Sequence, residues 1–173
     1  MSKNADAGLK PDQIFTPLLN TSLAHLLAKG HAFTPFESVS VIEPIRDVSS
    51  MISLTGPVSV MLLLNFDYAM AWRLMQEEVR ELGMTENDET LEAVLGEITN
   101  IIGGNATTSL AFAGQTVHLS LPLIFRSAKI RPGLNEVLIQ RSSLEHELGK
   151  LDVYCVTPAI PDAIETDYGL IAK

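Results

Sequence analysis

The stretch Leu91-Glu92-Ala93-Val94-Leu95-Gly96-Glu97-Ile98-Thr99-Asn100-Ile101-Ile102-Gly103-Gly104-Asn105-Ala106-Thr107-Thr108 is the most informative part of the chain. It reads as part of a long helix from about Glu89 to Ala113. At about 100° per residue, Leu91, Val94, Leu95, Ile98, Ile101 and Ile102 form one apolar stripe, the expected core face. Asn100 points almost opposite, and Glu97 stands about 60° from it, because residues three apart share a helix face. The rest of that outward sector is Ala93, Gly96, Gly103, Gly104 and Thr107. An ordinary solvent face would carry lysines, glutamates and arginines. Each helical glycine costs roughly 1 kcal/mol against alanine, so the three here cost on the order of 3 kcal/mol.

Two readings of this bare face stand side by side. It is either a tight contact between elements of the same fold, or a low platform from which one carboxylate and one amide reach into a partner. A carboxylate inside a close internal contact is costly unless paired, which weighs against the first. Asn105 falls within the apolar stripe beside Ile98, so its expected role is structural, its amide satisfying a group in the core.

Working outward, the acidic run Glu86 to Glu92 suits a helix start, where the dipole favours negative charge. Upstream, Val48, Ser50, Ile52 and Leu54 alternate with Ser49, Met51, Ser53 and Thr55. Val58, Val60, Leu62, Leu64 and Phe66 share one face of a second strand, and Gly56-Pro57 reads as the turn between them. Asp67 is placed to cap a helix bearing Tyr68, Ala71, Trp72, Met75, Val79 and Leu82, with Gly83 as its stop. An earlier helix carries Phe15, Leu19, Leu23, Leu26 and Leu27, with Thr16-Pro17 as its start and Gly30 as its end. Downstream, Val117, Leu119 and Leu121 alternate as a strand. Further strands are expected near Glu136 to Arg141 and Leu151 to Val156. This order predicts an α+β fold, an antiparallel sheet with its main helices packed on one face.

The chain has 173 residues, 46% apolar, with a net charge of −9. That predicts one domain over residues 11–173 after a flexible segment 1–10. The acidic balance argues against nucleic-acid backbone binding. No apolar run is as long as a membrane span. Met1 to Lys10 is polar and does not read as a signal peptide, so the expected compartment is the cytoplasm. Cys155, the sole cysteine, sits in a strand-like run and reads as a buried structural thiol. His25, His31, His118 and His146 lack ligand spacing, and Glu145-His146-Glu147 reads as a solvated loop, so no metal site is expected. No glycine-rich phosphate loop and no nucleophile elbow is present.

With Glu97, Asn100 and Gly104-Asn105 in place, the helix resembles the signature helix of the CheC/CheX/FliY family of chemotaxis phosphatases: a Glu, two residues, an Asn, and shortly after it a Gly-Asn pair. Ile52-Ser53-Leu54-Thr55-Gly56-Pro57-Val58 and Leu119-Ser120-Leu121-Pro122 extend the likeness from about Val48 to Pro122. The chain is more similar to CheX than to CheC, since it has one Glu-x-x-Asn helix. Pro17 stands where a second would need its Glu before Asn20. Ala93 departs from the CheC-type pattern, which has Asp or Ser there. The resemblance implies a phosphatase acting on the aspartyl phosphate of a CheY-like receiver domain in two-component signalling. Asn100 would orient the attacking water, and Glu97 would pair with a receiver lysine. Ala93, Gly96, Gly103, Gly104 and Thr107 would form the partner-binding face. It also implies no cofactor of the chain's own, Mg²⁺ on the receiver, and a homodimer. The alternatives are a non-enzymatic receiver-binding or flagellar switch-type module on the same fold, and an oligomerisation domain using the glycine face.

Overall fold

The computed structural model describes residues 10–57, 59–112, 114, 116–132 and 136–159. Residues 1–9 of the expected flexible segment, 160–173 of the expected domain, Val58 of the expected second strand and Ala113 at the expected end of the long helix lie outside them.

The first described element is α1 (Pro11–Ser22), followed by a 3₁₀ segment, Ala24–Gly30. The helix therefore starts one and a half turns before the expected Thr16-Pro17 signal. Pro11 takes the favoured first position and Pro17 lies inside. Next come β1 (Glu37–Val39), β2 (Val48–Thr55) and β3 (Val60–Phe66). Then α2 (Tyr68–Leu82) and α3 (Asp88–Phe112) run in succession. The described residues end with β4 (His118–Leu119), β5 (Leu123–Arg126), β6 (Val137–His146) and β7 (Gly149–Pro158). The architecture is α+β, as expected.

All strand pairs are antiparallel, in the order β1-β6-β7-β3-β2-β4, with β5 also on β2. The β2–β3 hairpin pairs Leu54 with Val60, Ile52 with Leu62, Ser50 with Leu64 and Val48 with Phe66. These residues look toward the helices. Gly56 permits the turn: its φ is +149°, and a Cβ there would stand 2.7 Å from the Thr116 carbonyl oxygen. The expected strand Val117–Leu121 shortens to β4, and Leu121 is 83% exposed. Glu145 and His146 end β6 rather than lying in a loop, and only Glu147 enters the turn.

The main core lies between the helices and one sheet face. Phe15 and Leu19 from α1, Met70 and Leu74 from α2, and Leu91, Leu95 and Ile102 from α3 meet Ile52, Leu62, Leu64 and Cys155 of the sheet. Cys155 is fully buried, and burial pushes its thiol up to about 12, in keeping with a structural residue. A smaller cluster, Ile42, Leu63, Ile139, Tyr154 and Val156, covers the opposite face. Central strands buried on both sides explain why Val153 to Val156 of β7 read as a continuous apolar run. Among the described residues, no helix is long and apolar enough to cross a membrane.

Candidate functional site

The site depends on how α3 is seated. Asn87 caps it, its side-chain oxygen accepting from the Thr90 N–H at 2.8 Å, and Asp88 and Glu89 occupy the first turn. Arg126 of β5 ties that turn down, donating to Glu92 at 2.9 Å and lying 3.4 Å from Asp88. Midway along, the Thr99 hydroxyl is buried, 2.6 Å from the Ser50 hydroxyl on β2 and 2.7 Å from the Leu95 carbonyl. The face that meets the sheet is Leu95, Ile98, Thr99, Ile102, Gly103 and Ala106.

This seating corrects the helical projection in three places. The buried face is rotated away from Ile101 toward Thr99, Gly103 and Ala106. Small residues there let the helix lie close to β2 and β4, and that closeness outweighs the larger apolar area of isoleucine. Ile101 is therefore 46% exposed. Asn105, one turn further along the same exposed edge, is outside rather than in the core. Gly103 is buried and belongs to no open face. A Cβ there would lie 2.8 Å from Leu119 Cδ1 and 3.1 Å from Ile52 Cδ1. For this glycine, the reading as an internal contact holds.

The other face residues divide. Gly104 is open, with nothing within 4 Å of where a Cβ would stand, and Ala93 is exposed. Gly96 is half-buried, with Pro122 Cγ at 3.8 Å from a would-be Cβ. Thr107 is half-buried and its hydroxyl donates to the Gly103 carbonyl at 2.9 Å. Glu97 and Asn100 both project from the exposed side. Among the described residues, neither side chain has a hydrogen-bond or ion-pair partner. A carboxylate acceptor and an amide that both donates and accepts thus stand one turn apart on a surface low in side chains.

Beside Glu97 lies an open groove of about 430 Å³. The C-terminal end of α1 supplies Thr21 and Ser22, α2 supplies Glu78, and the α2–α3 connection supplies Met84. Ala93, Val94, Glu97, Ile98 and Ile101 of α3 complete it. No motif marks this groove in the sequence, because its α1 wall lies more than fifty residues before the rest of it. Its nearest sequence signal is Met84, apolar in a polar connection.

Comparison with known proteins places these features. The fold matches CheX from Desulfovibrio desulfuricans with a TM-score of 0.73 at 14% identity, covering 86% of this chain and 99% of that one. It matches a CheC-like superfamily protein from Shewanella sp. PV-4 with a TM-score of 0.71 at 17% identity, covering 87% and 98%. It also matches the Borrelia burgdorferi protein solved as a CheX-CheY-BeF3-Mg²⁺ complex, with a TM-score of 0.62 at 22% identity, covering 84% and 96%. No curated protein sequence matches the chain. The sheet with its helices on one face is thus the architecture of CheX and CheC-like proteins. The family model described as chemotaxis phosphatase CheX matches residues 48–139, more than half the chain, and the chain belongs to that family.

Proposed function

We propose that this chain hydrolyses the aspartyl phosphate of a CheY-like receiver domain. The observation that carries the reading is the pair Glu97 and Asn100, exposed and unpartnered among the described residues, on a face opened by Ala93 and Gly104. Membership of a family described as chemotaxis phosphatases supports it, as does a relative of the same fold solved with CheY, BeF3 and Mg²⁺.

In this reaction water adds to phosphorus, the bond from phosphorus to the aspartyl oxygen breaks, and aspartate and inorganic phosphate are left. The Asn100 amide oxygen accepts a hydrogen bond from the water and aims its lone pair at phosphorus in line with the leaving oxygen. An amide needs no ionisation for this, so Asn100 adds no pH dependence of its own to the step. Glu97 pairs with a lysine of the receiver and sets the register of docking. The Mg²⁺ belongs to the receiver. The chain works in the cytoplasm as a homodimer, which equilibrium sedimentation tests directly.

Phosphate release from a phosphorylated CheY-like receiver, with and without the chain, is the decisive measurement. Asn100→Ala is expected to lower the stimulated rate by about a hundredfold or more with the fold intact. Glu97→Gln is expected to weaken docking by about fivefold and to flatten its salt dependence. Full activity in Asn100→Ala sinks the assignment. Receiver binding with no faster phosphate loss in the unaltered chain favours the non-enzymatic module instead.

A further inference from the structure

Glu97 belongs to two surfaces at once: the open face of α3 and the groove that α3 forms with the end of α1, Glu78 of α2 and Met84. We infer that this groove is a receiver-selecting site, which takes a second basic side chain of the receiver together with an adjoining apolar one. The inference rests on the receiver being the partner.

Three observations point to that occupant. The groove floor is apolar, formed by Val94 and Ile98, and two large apolar side chains at its edge are left bare: Ile101 is 46% and Met84 47% exposed. Exposed side chains of this size beside a concavity are the kind that a partner covers. Its volume of about 430 Å³ exceeds what one side chain fills. Among the described residues its charge is of one sign: Glu78 and Glu97 line it and no basic residue does. On α2, Arg73 pairs with Glu77 and Arg80 lies 3.9 Å from it, while Glu78 has no partner among the described residues. A lysine or arginine with an apolar neighbour satisfies both features, and a chain of net charge −9 draws such a surface toward it. Continuity with Glu97 places this occupant beside the lysine assigned to Glu97, so the groove reads receiver residues that the chemistry itself does not use.

The test uses Ile101→Ser and Glu78→Gln in the full chain, both at exposed positions, with melting temperature as the fold control. Two quantities are measured: steady-state dephosphorylation of a CheY-like receiver, and calorimetric binding of that receiver loaded with beryllofluoride and Mg²⁺. Each variant is expected to raise KM and Kd, by about tenfold for Ile101→Ser and about fivefold for Glu78→Gln, with kcat retained. Glu78→Gln should also flatten the salt dependence of Kd. Should Ile101→Ser lower the melting temperature, Glu78→Gln alone decides. Unchanged KM and Kd in both variants overturn the inference and leave the catalytic reading intact. If the unaltered chain binds the receiver without hydrolysing its phosphate, the catalytic reading fails, and the Kd values still decide the groove. Absence of receiver binding by the unaltered chain overturns both.

Discussion

Thr99, rather than Glu97 or Asn100 themselves, aims the candidate site. It stands one residue before Asn100 and is wholly buried, so the direction in which it is held fixes the direction in which Asn100 leaves the helix. Its hydroxyl has one proton. With that proton given to the Leu95 carbonyl, the Ser50 hydroxyl must be the donor across the 2.6 Å contact. Thr99→Val keeps the shape and removes the acceptor, stranding a buried Ser50 hydroxyl. The expected loss is about 1–3 kcal/mol in urea unfolding. Asn100→Ala, exposed and unpartnered among the described residues, should change stability by less than about 0.5 kcal/mol. A large loss in both variants would mean that Asn100 has a structural duty and would weaken its catalytic assignment.

At the scale of elements, adjacent glycines on α3 have opposite reasons for being there. Gly103 lets the helix touch Leu119 of β4 and Ile52 of β2, whereas Gly104 faces open space. Gly103→Val forces branched bulk into a contact already tight for a methyl group and should cost about 1–3 kcal/mol. Gly104→Ala meets nothing and should gain up to about 1 kcal/mol from helix propensity. Thermal melts of the two variants moving in the same direction would contradict this seating of α3. The start of α2 shows a similar division of labour. Asp67 occupies the cap position expected for it, yet its carboxylate serves Arg46 and the Lys150 N–H, at 2.7 Å from the latter. The Tyr68 N–H at the helix start is instead satisfied by Asp47 at 2.7 Å.

Across the whole molecule, the connection before β2 is pinned to β7 by ions. Arg46 donates to Asp67 and, at 2.9 Å, to Asp152, whose side chain is fully buried. Ser143 also donates to Asp152, and Lys150 Nζ lies 3.2 Å from it. Burial alone would raise the Asp152 carboxyl, but Ser143, Arg46 and Lys150 outweigh it and hold the group below the usual carboxylate range. A carboxyl depressed in the folded state contributes stability that is fully present above its unfolded value of about 4, and that stability drains away as pH falls through the folded value. Acid unfolding of the unaltered chain should therefore show a component below about pH 4. Arg46→Met should move that component upward and cost about 2 kcal/mol at neutral pH. This is less than the full loss of a buried pair because Arg46 is 32% exposed and Lys150 remains. An acid-unfolding profile identical in both proteins would rule out this linkage.

The β2–β3 hairpin, α2 with its Gly83 stop, the span of α3 and the one-sided packing of helices were all legible in the chain, since each rests on local periodicity and turn chemistry. So were the exposure of Glu97 and Asn100 and the burial of Cys155. Local pattern could not reveal the rotation of α3, because that depends on how closely Thr99, Gly103 and Ala106 let it approach β2 and β4, and a strand more than forty residues away sets the limit. Ile101 and Asn105 were misplaced for that reason, as was Gly103. The groove and the Arg46–Asp152 pairing were hidden for the same cause: their parts meet only when distant segments fold together. A single aspartate inside the apolar run of β7 was the only local sign of that pairing. Periodicity within the chain thus determined which elements form and which helix carries the candidate site. Close packing between elements determined which side chains that helix leaves exposed, because side-chain size at a contact is felt only across the contact.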